Sequence, residues 1–459
     1  MNEKVHIREK IGYGLGDAAS SMFWKVFSIF LPIFYTDVFG ISAAAVGTML
    51  LVTRIWDTAN DPIMGIICDR TTTKWGKFRP FLLWLAVPFA IVGVLMFTTP
   101  NLGLSGKLVY AYVTYTLMMM AYTAVNVPYA SLLGVMSPKS NDRTAFASYR
   151  MVFAFAGSIL VVAIYQPIVD WFKGSFSEAT SYQLTMTVVG LLAATFFLLT
   201  FSWTLERISP PKGQKNNLRE DLKNLAGNIP WFILLGSGVA TLIFNSVRDG
   251  AALYFFKYYV GDGSALSISK TTLTFSTVYL IIGQTTNMLG VIMAKPVSAF
   301  LGKRKTFMYA MFCAALLSGI FYFATKESVA LIFLLQALIS FCAGIIFPLL
   351  WSMYADAADY SQWKTGRRAT GLVFSASSMS QKLGWTIGGS ITLWLLAIYG
   401  FEANVEQSAE TITGLKYMMS FVPGAAALIS GLVIMFYNLS DNKMSEIIAD
   451  LEEVRNKDS

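Results

Sequence analysis

Residues 43–68 read AAAVGTMLLVTRIWDTANDPIMGIIC, an apolar run interrupted at its middle by Arg54, Asp57 and Asp61. A helix that crosses a bilayer needs about 20 residues, so this run is long enough. An ionised side chain at mid-depth costs about 2.5–3.5 kcal/mol on the insertion scale. At about 100° per residue the three charges fall on one helical face. Asp57 and Asp61, four residues apart, are neighbours on that face. Two like charges so close repel unless one is protonated or a cation lies between them. The three charges sum to one negative. The face therefore predicts a polar interior in which one acid is protonated or a small cation lies between the two. The competing reading is a structural ion pair of Arg54 with one acid, which leaves the second acid unmatched.

Of the 459 residues, 55% are hydrophobic and 14% are charged, against about 25% charged in soluble domains. That balance excludes a soluble enzyme and predicts a polytopic membrane protein. Apolar runs recur at 12–38, 43–68, 80–99, 107–136, 144–171, 183–205, 230–260, 271–294, 305–324, 329–361, 369–399 and 411–437. They are far too long for barrel strands, so helices are expected. The net charge of +8 sits in short loops and suits an anionic membrane surface rather than nucleic acid. Lys and Arg crowd the N-terminus, the even-numbered loops and the C-terminus. The opposite loops hold Lys107, Lys173, Lys270 and Lys326. The positive-inside rule then puts both termini in the cytoplasm. The polar start MNEKVHIREK reads as a cytoplasmic tail with no cleavable signal peptide.

Catalytic chemistry has few candidates. The three cysteines, Cys68, Cys313 and Cys342, lie in or beside spans without metal-ligand spacing and read as small core residues. The single histidine, His6, argues against a histidine proton relay. GYGLGD (12–17) has the look of a dinucleotide loop, but no strand precedes it, and its glycines predict close helix packing instead. No nucleophile–base set or phosphate loop is present, so neither an enzyme nor a cofactor is expected.

Residues 207–229, RISPPKGQKNNLREDLKNLAGNI, form a polar linker that separates 1–206 from 230–437. The tail, 438–459, reads as a solvated cytoplasmic helix. DRTTTKWGKFRP (69–80) is echoed by LGKRKTF (301–307) at the equivalent place in the second half. A six-plus-six duplication about a central cytoplasmic loop is the layout of the major facilitator fold. The expected fold class is thus all-α, with twelve transmembrane helices in two six-helix bundles.

GYGLGD, FYTDVFG (34–40), TRIWDTANDPIMG (53–65), WGKFRP (75–80), YTAVNVPYASL (122–132) and DRTAFASYR (142–150) occur in an order that resembles the glycoside–pentoside–hexuronide:cation symporter family. YADAADYSQWKTGRRATG (354–371) and SQKLG (380–384) extend the resemblance to the second half. It implies a secondary transporter of the bacterial inner membrane that carries a sugar or glycoside with Na⁺, Li⁺ or H⁺ by alternating access. A functional monomer is expected. Its partners are the sugar, a monovalent cation and the lipid bilayer, with no nucleic acid.

By the same resemblance, Asp57 and Asp61 are the cation-site acids, Thr123 is a hydroxyl that completes the site, and Lys382 is a lysine placed near it. Na⁺ wants several oxygens, which two carboxylates and a hydroxyl supply. Arg54 or Lys382 would partly neutralise the acids when the cation is absent. Tyr122 and Arg150 match sugar-pocket residues. An arginine inside a span faces the bundle interior and can fork onto sugar hydroxyls or a carboxylate, or else pair with an acid of the first or fourth helix.

The sequence departs from the melibiose carriers of the family. It has Asn126 and Ala130 where they place a sugar-binding acid and a tryptophan, and Ser21 at their first-helix acid, with Asp17 too early on the helix to substitute. Lys25, one turn beyond Ser21, and Arg248 add cations. The expected substrate is a neutral or acidic glycoside such as a hexuronide, with pairing of Lys25 to Asp17 as the alternative. Trp351, Tyr354 and Trp385 are stacking or packing aromatics. Asp69, Arg70 and Lys77 in the 69–80 loop, with Arg143, and Asp356 and Asp359 with Arg367 and Arg368, read as cytoplasmic gate charges or as topology signals. A lysophospholipid transporter or a drug:proton antiporter of the same fold is the alternative function.

Overall fold

The computed structural model describes residues 5–71, 73–137, 140–207, 227–261, 263–268, 271–365 and 370–458. Its helices are α1 (Ile7–Val38), α2 (Ala43–Arg70), α3 (Arg79–Met96), α4 (Leu104–Met136), α5 (Ser140–Lys173), α6 (Glu178–Trp203) and α7 (Ile229–Val260). They continue with α8 (Phe275–Leu301), α9 (Lys303–Phe321), α10 (Val329–Thr365), α11 (Thr370–Ile398), α12 (Ala409–Ile434) and α13 (Asp441–Asp458). Among the described residues nine are long and apolar enough to cross a membrane: α1, α3 to α8, α10 and α12. In α2 the described apolar stretch is Ala43–Arg54.

The expected span at 271–294 starts later. Thr271–Thr274 (β2) pairs antiparallel with Ser264–Ile268 (β1), so a small hairpin interrupts an otherwise helical chain. The run TTLT is rich in β-branched residues, which favour strand. The Thr274 hydroxyl then accepts the Thr277 N–H at 3.4 Å, starting α8 at Phe275.

The chain forms two compact units. The first is Met1–Lys212 with Asp262–Ile281 and Leu396–Ser408; the second is Gly213–Gly261, Ile282–Leu395 and Ala409–Ser459. The hairpin and the segment after α11 therefore join the first unit, although both fall within 230–437. Asn404 supplies one reason: its Nδ2 donates to the Asp37 carbonyl at 2.6 Å.

In the first unit α1 lies against α5 and α6, α3 against α4 and α6, and α2 against α4. Pro32 cannot donate to its own helix, and π-helical turns flank it at Val26–Phe30 and Phe34–Val38. The Thr36 hydroxyl satisfies the Pro32 carbonyl at 3.2 Å. Stacked Phe30 and Tyr165, with ring centroids 4.1 Å apart, fill the core beside them. GYGLGD behaves as a packing motif. A side chain at Gly16 would strike Tyr129, which stacks on Tyr13 at 4.7 Å and donates its hydroxyl to the Tyr13 carbonyl at 2.6 Å.

WGKFRP is held by one carboxylate. Glu206 accepts the backbone N–H groups of Lys77, Phe78 and Arg79 at 2.8–2.9 Å, capping α3. The Arg79 guanidinium donates to the Phe201 carbonyl at 2.6 Å. Gly76 sits at φ +108°, and a Cβ there would collide with the Glu206 carboxyl, so only glycine serves. The next residue, Arg207, forks onto Glu9 at 2.7 and 2.9 Å. Glu206→Gln should loosen the start of α3 by about 1–3 kcal/mol, since an amide keeps one acceptor oxygen for three donors and loses the charge. Hydrogen exchange at residues 77–79 is expected to speed up by about fivefold or more; unchanged protection would refute the cap.

In the second unit α12 lies against α7 and α9, and α10 against both as well. Small residues bring backbones together: a Cβ on Gly290 would collide with the Phe341 carbonyl, and one on Gly344 with that of Asn287. Ser237, Thr241 and Ser430 share hydroxyl contacts of 2.8–2.9 Å between α7 and α12. The tail is not simply solvated. α13 buries Met444, Ile447 and Leu451, lies against α10, and accepts the Trp363 indole N–H on Asp450 at 2.8 Å.

Candidate cation and sugar site

α2 carries Arg54, Asp57 and Asp61 over two turns of one face, and α4 presents Thr123 to it. Arg54 Nη1 lies 3.0 Å from Asp57 Oδ2, with both side chains buried, at 7% and 1% exposure. The Thr123 hydroxyl, also buried, is 2.9 Å from Asp57 Oδ1 and 3.0 Å from Asp61 Oδ1. One hydroxyl hydrogen thus faces two carboxylate oxygens. Three oxygens from two helices converge, and the arrangement gains from any second proton or small cation that enters it. Arg54 stacks its guanidinium 4.5 Å over the Trp24 ring, so the arginine is held on its apolar side as well.

Arg54 pairs with Asp57 as the structural alternative held, while Asp61 reaches the same hydroxyl from the other side. Trp24 was not legible as a participant, because a lone tryptophan inside a span carries no signal of its own.

The sugar candidates divide. Tyr122 is next to Thr123 on α4 and lies 5.8 Å from Trp24, between centroids. Asn126, a turn beyond, donates its amide to the Tyr122 carbonyl at 2.9 Å. Ser21 and Lys25 are partly exposed on α1. Arg150 is paired: its Nε is 3.1 Å from Asp17 Oδ2, and it covers the Tyr129 ring at 5.3 Å. Asp17, expected to lie too early on the helix, thus meets Arg150, because α1 and α5 lie side by side. The pair is only partly buried, 35% and 16% exposed, so the guanidinium keeps a face open to a ligand.

In the second unit Arg248 is a buried brace rather than a pocket cation. It donates to Gln336 Oε1 at 2.5 Å and to the Met419 carbonyl at 3.2 Å. Trp351 meets Tyr354 edge-on at 6.1 Å. Lys382 is partly exposed on α11. Asp356 takes Lys303 at 2.6 Å, a tie within its own unit. Asp359 is partly exposed two turns from the end of α10, and Lys77 lies in the loop clamped by Glu206. The side chains of Asp69, Arg70 and Arg143, and residues Arg367 and Arg368, lie outside the described residues.

Residues 12–441 match the MFS/sugar transport protein family. The chain belongs to that family. It is a transporter, not an enzyme, and within the family it is one of the glycoside–pentoside–hexuronide:cation symporters. It is 38% identical to the putative glycoside/cation symporter YagG of Escherichia coli over 98% of this chain and 95% of that protein. It is 33% identical to the isoprimeverose transporter of Lactiplantibacillus pentosus over 97% and 91%, and 30% identical to the Escherichia coli glucuronide carrier protein homolog over 98% and 97%. The fold of a bacterial homolog of the lysosomal transporter Spinster matches at a TM-score of 0.66, with 13% identity, over 96% of this chain and 97% of that one. A proton-dependent oligopeptide transporter matches at 0.68, with 12% identity, over 97% and 100%. These symporters share the major facilitator fold, and the chain is accordingly a multi-pass inner-membrane protein.

Proposed function

We propose that this symporter carries a glycoside into the cell together with a monovalent cation, Na⁺ or H⁺, held by Asp57, Asp61 and Thr123. The observation that carries the reading is the convergence of both carboxylates on the Thr123 hydroxyl. A cation entering there would replace a hydrogen bond that one hydroxyl cannot give twice. Arg54 holds Asp57 oriented when the cation is absent. Ser21, Lys25, Tyr122, Asn126 and Arg150 form the sugar set on the first unit. Coupling follows if the transporter changes state only with both ligands bound or both absent. The protein works as a monomer with both termini in the cytoplasm.

The substrate class follows from charge. Arg150 spends part of its charge on Asp17, and Lys25, one turn beyond Ser21 on α1, is the second cation of the set. The relatives include a protein named as an isoprimeverose transporter and one named as a glucuronide carrier homolog, which bracket the two possibilities. Uptake into vesicles across a panel of labelled glycosides, under imposed Na⁺, Li⁺ and H⁺ gradients, tests both substrate and ion. Lys25→Ala is expected to lower glucuronide uptake by about tenfold, the effect of one charge-assisted contact, and neutral glycoside uptake by less than about twofold. Glucuronide uptake that ignores Lys25→Ala would sink the acidic reading.

A further inference from the structure

We propose that the cleft between the first turns of α9 and the end of α12 binds the headgroup of an anionic phospholipid. The cleft holds about 460 Å³ and is lined by Arg304, Lys305, Tyr309 and Ser440 among apolar residues such as Met308 and Leu439. Three cations stand in a row at 303–305, and they are used differently. The Lys303 ammonium is committed to Asp356 at 2.6 Å. Arg304 donates from one Nη to the Met435 carbonyl, which fixes its guanidinium at the cleft wall. Lys305 is exposed and has no ion pair or hydrogen bond with the described residues. Two positive groups therefore face an opening that the fold itself does not fill.

The apolar surroundings point to a lipid rather than a soluble anion. Phe300 and Phe436, 88% and 75% exposed, flank the cleft. From Tyr309 and Met435, exposed side chains continue along α9 and α12 through Leu316, Leu432 and Leu428, an uncovered strip for an acyl chain. The cleft lies where helices end, at Gly302 between α8 and α9 and at Ser440 after α12, which is headgroup depth. It is also the face to which the distribution of Lys and Arg assigns the cytoplasm, whose leaflet carries negative charge. An anionic head joined to an apolar tail matches both halves of this surface, whereas inorganic phosphate would match only the first. Basic pockets between helices at this depth are the usual form of headgroup sites. None of these residues belongs to the cation or sugar set.

The test uses the full-length protein in nanodiscs of phosphatidylcholine containing a minority of phosphatidylglycerol, with bound lipid read by native mass spectrometry. The wild type is expected to retain phosphatidylglycerol over phosphatidylcholine. Arg304→Gln with Lys305→Gln should reduce that preference by roughly twentyfold, about fivefold for each cation lost. Lys305→Gln alone, which removes no bond within the described residues, should give about fivefold and guards against a folding defect from Arg304. Lys74→Gln, an exposed cation of the first unit, should change nothing. A double variant with the wild-type preference overturns the site. Displacement of the lipid by excess inorganic phosphate overturns the lipid assignment.

Discussion

Asp61→Asn is expected to abolish concentrative glycoside uptake while the protein still folds and inserts. The neutral amide keeps the shape and removes one of the two charges that meet at Thr123. At roughly 3 kcal/mol for a charged partner lost from a buried site, cation affinity should fall by about 100-fold. Asp57→Asn should be at least as damaging to transport and additionally destabilising. It deprives the buried Arg54 of its 3.0 Å partner, a loss of about 3–5 kcal/mol when one member of a buried pair is removed. The two variants therefore separate coupling from folding: both lose ion-driven accumulation, but only Asp57→Asn should melt clearly earlier. Glycoside counterflow, which needs no net cation movement, should survive better than accumulation in Asp61→Asn. Wild-type accumulation in that variant under Na⁺ and H⁺ gradients alike would show that the cation is bound elsewhere.

The second large effect is structural. Gly344→Ala should destabilise the second unit by about 3 kcal/mol, toward the upper end for overpacking. The added methyl would press on the Asn287 backbone of α8, and Gly290 presses on Phe341 of α10 in the same way. Backbone atoms on both sides leave no flexible side chain to yield. On the scale of a few degrees per kcal/mol, the melting temperature in detergent is expected to drop by roughly 6–12 °C. A variant that melts with the wild type would mean that α8 and α10 are not in backbone contact.

How far the sequence reached depended on the kind of signal. Long apolar runs reveal helices because the bilayer admits few other solutions, and the charges of α2 stood out because their cost is so high there. The carboxylates and Thr123 were legible as one site through the family-like motifs. Partners were harder. Arg150 and Asp17 are 133 positions apart in sequence, and only the side-by-side course of α1 and α5 brings them together. Arg248 next to Asp249 looked like a pocket charge, whereas Gln336 and a carbonyl of α12 absorb it. Only the second strand of the hairpin, Thr271–Thr274, falls inside an expected helix, because four residues of TTLT are too few to show a period of two against the apolar run that follows. Gly290 and Gly344 carry no mark that distinguishes them from any other glycine in a span.

The bonds at Glu206 and Arg207 bear on the order in which the protein is made. Each reaches back to residues synthesised long before it, Glu206 to 77–79 and Arg207 to Glu9. Once residue 207 has left the ribosome, the ends of α1, α3 and α6 can be fastened while the second half is still untranslated. One part of the first unit cannot be finished then: the bond from Asn404 to Asp37 waits for nearly two hundred further residues. The first unit is thus tied early at one end and closed late at the other.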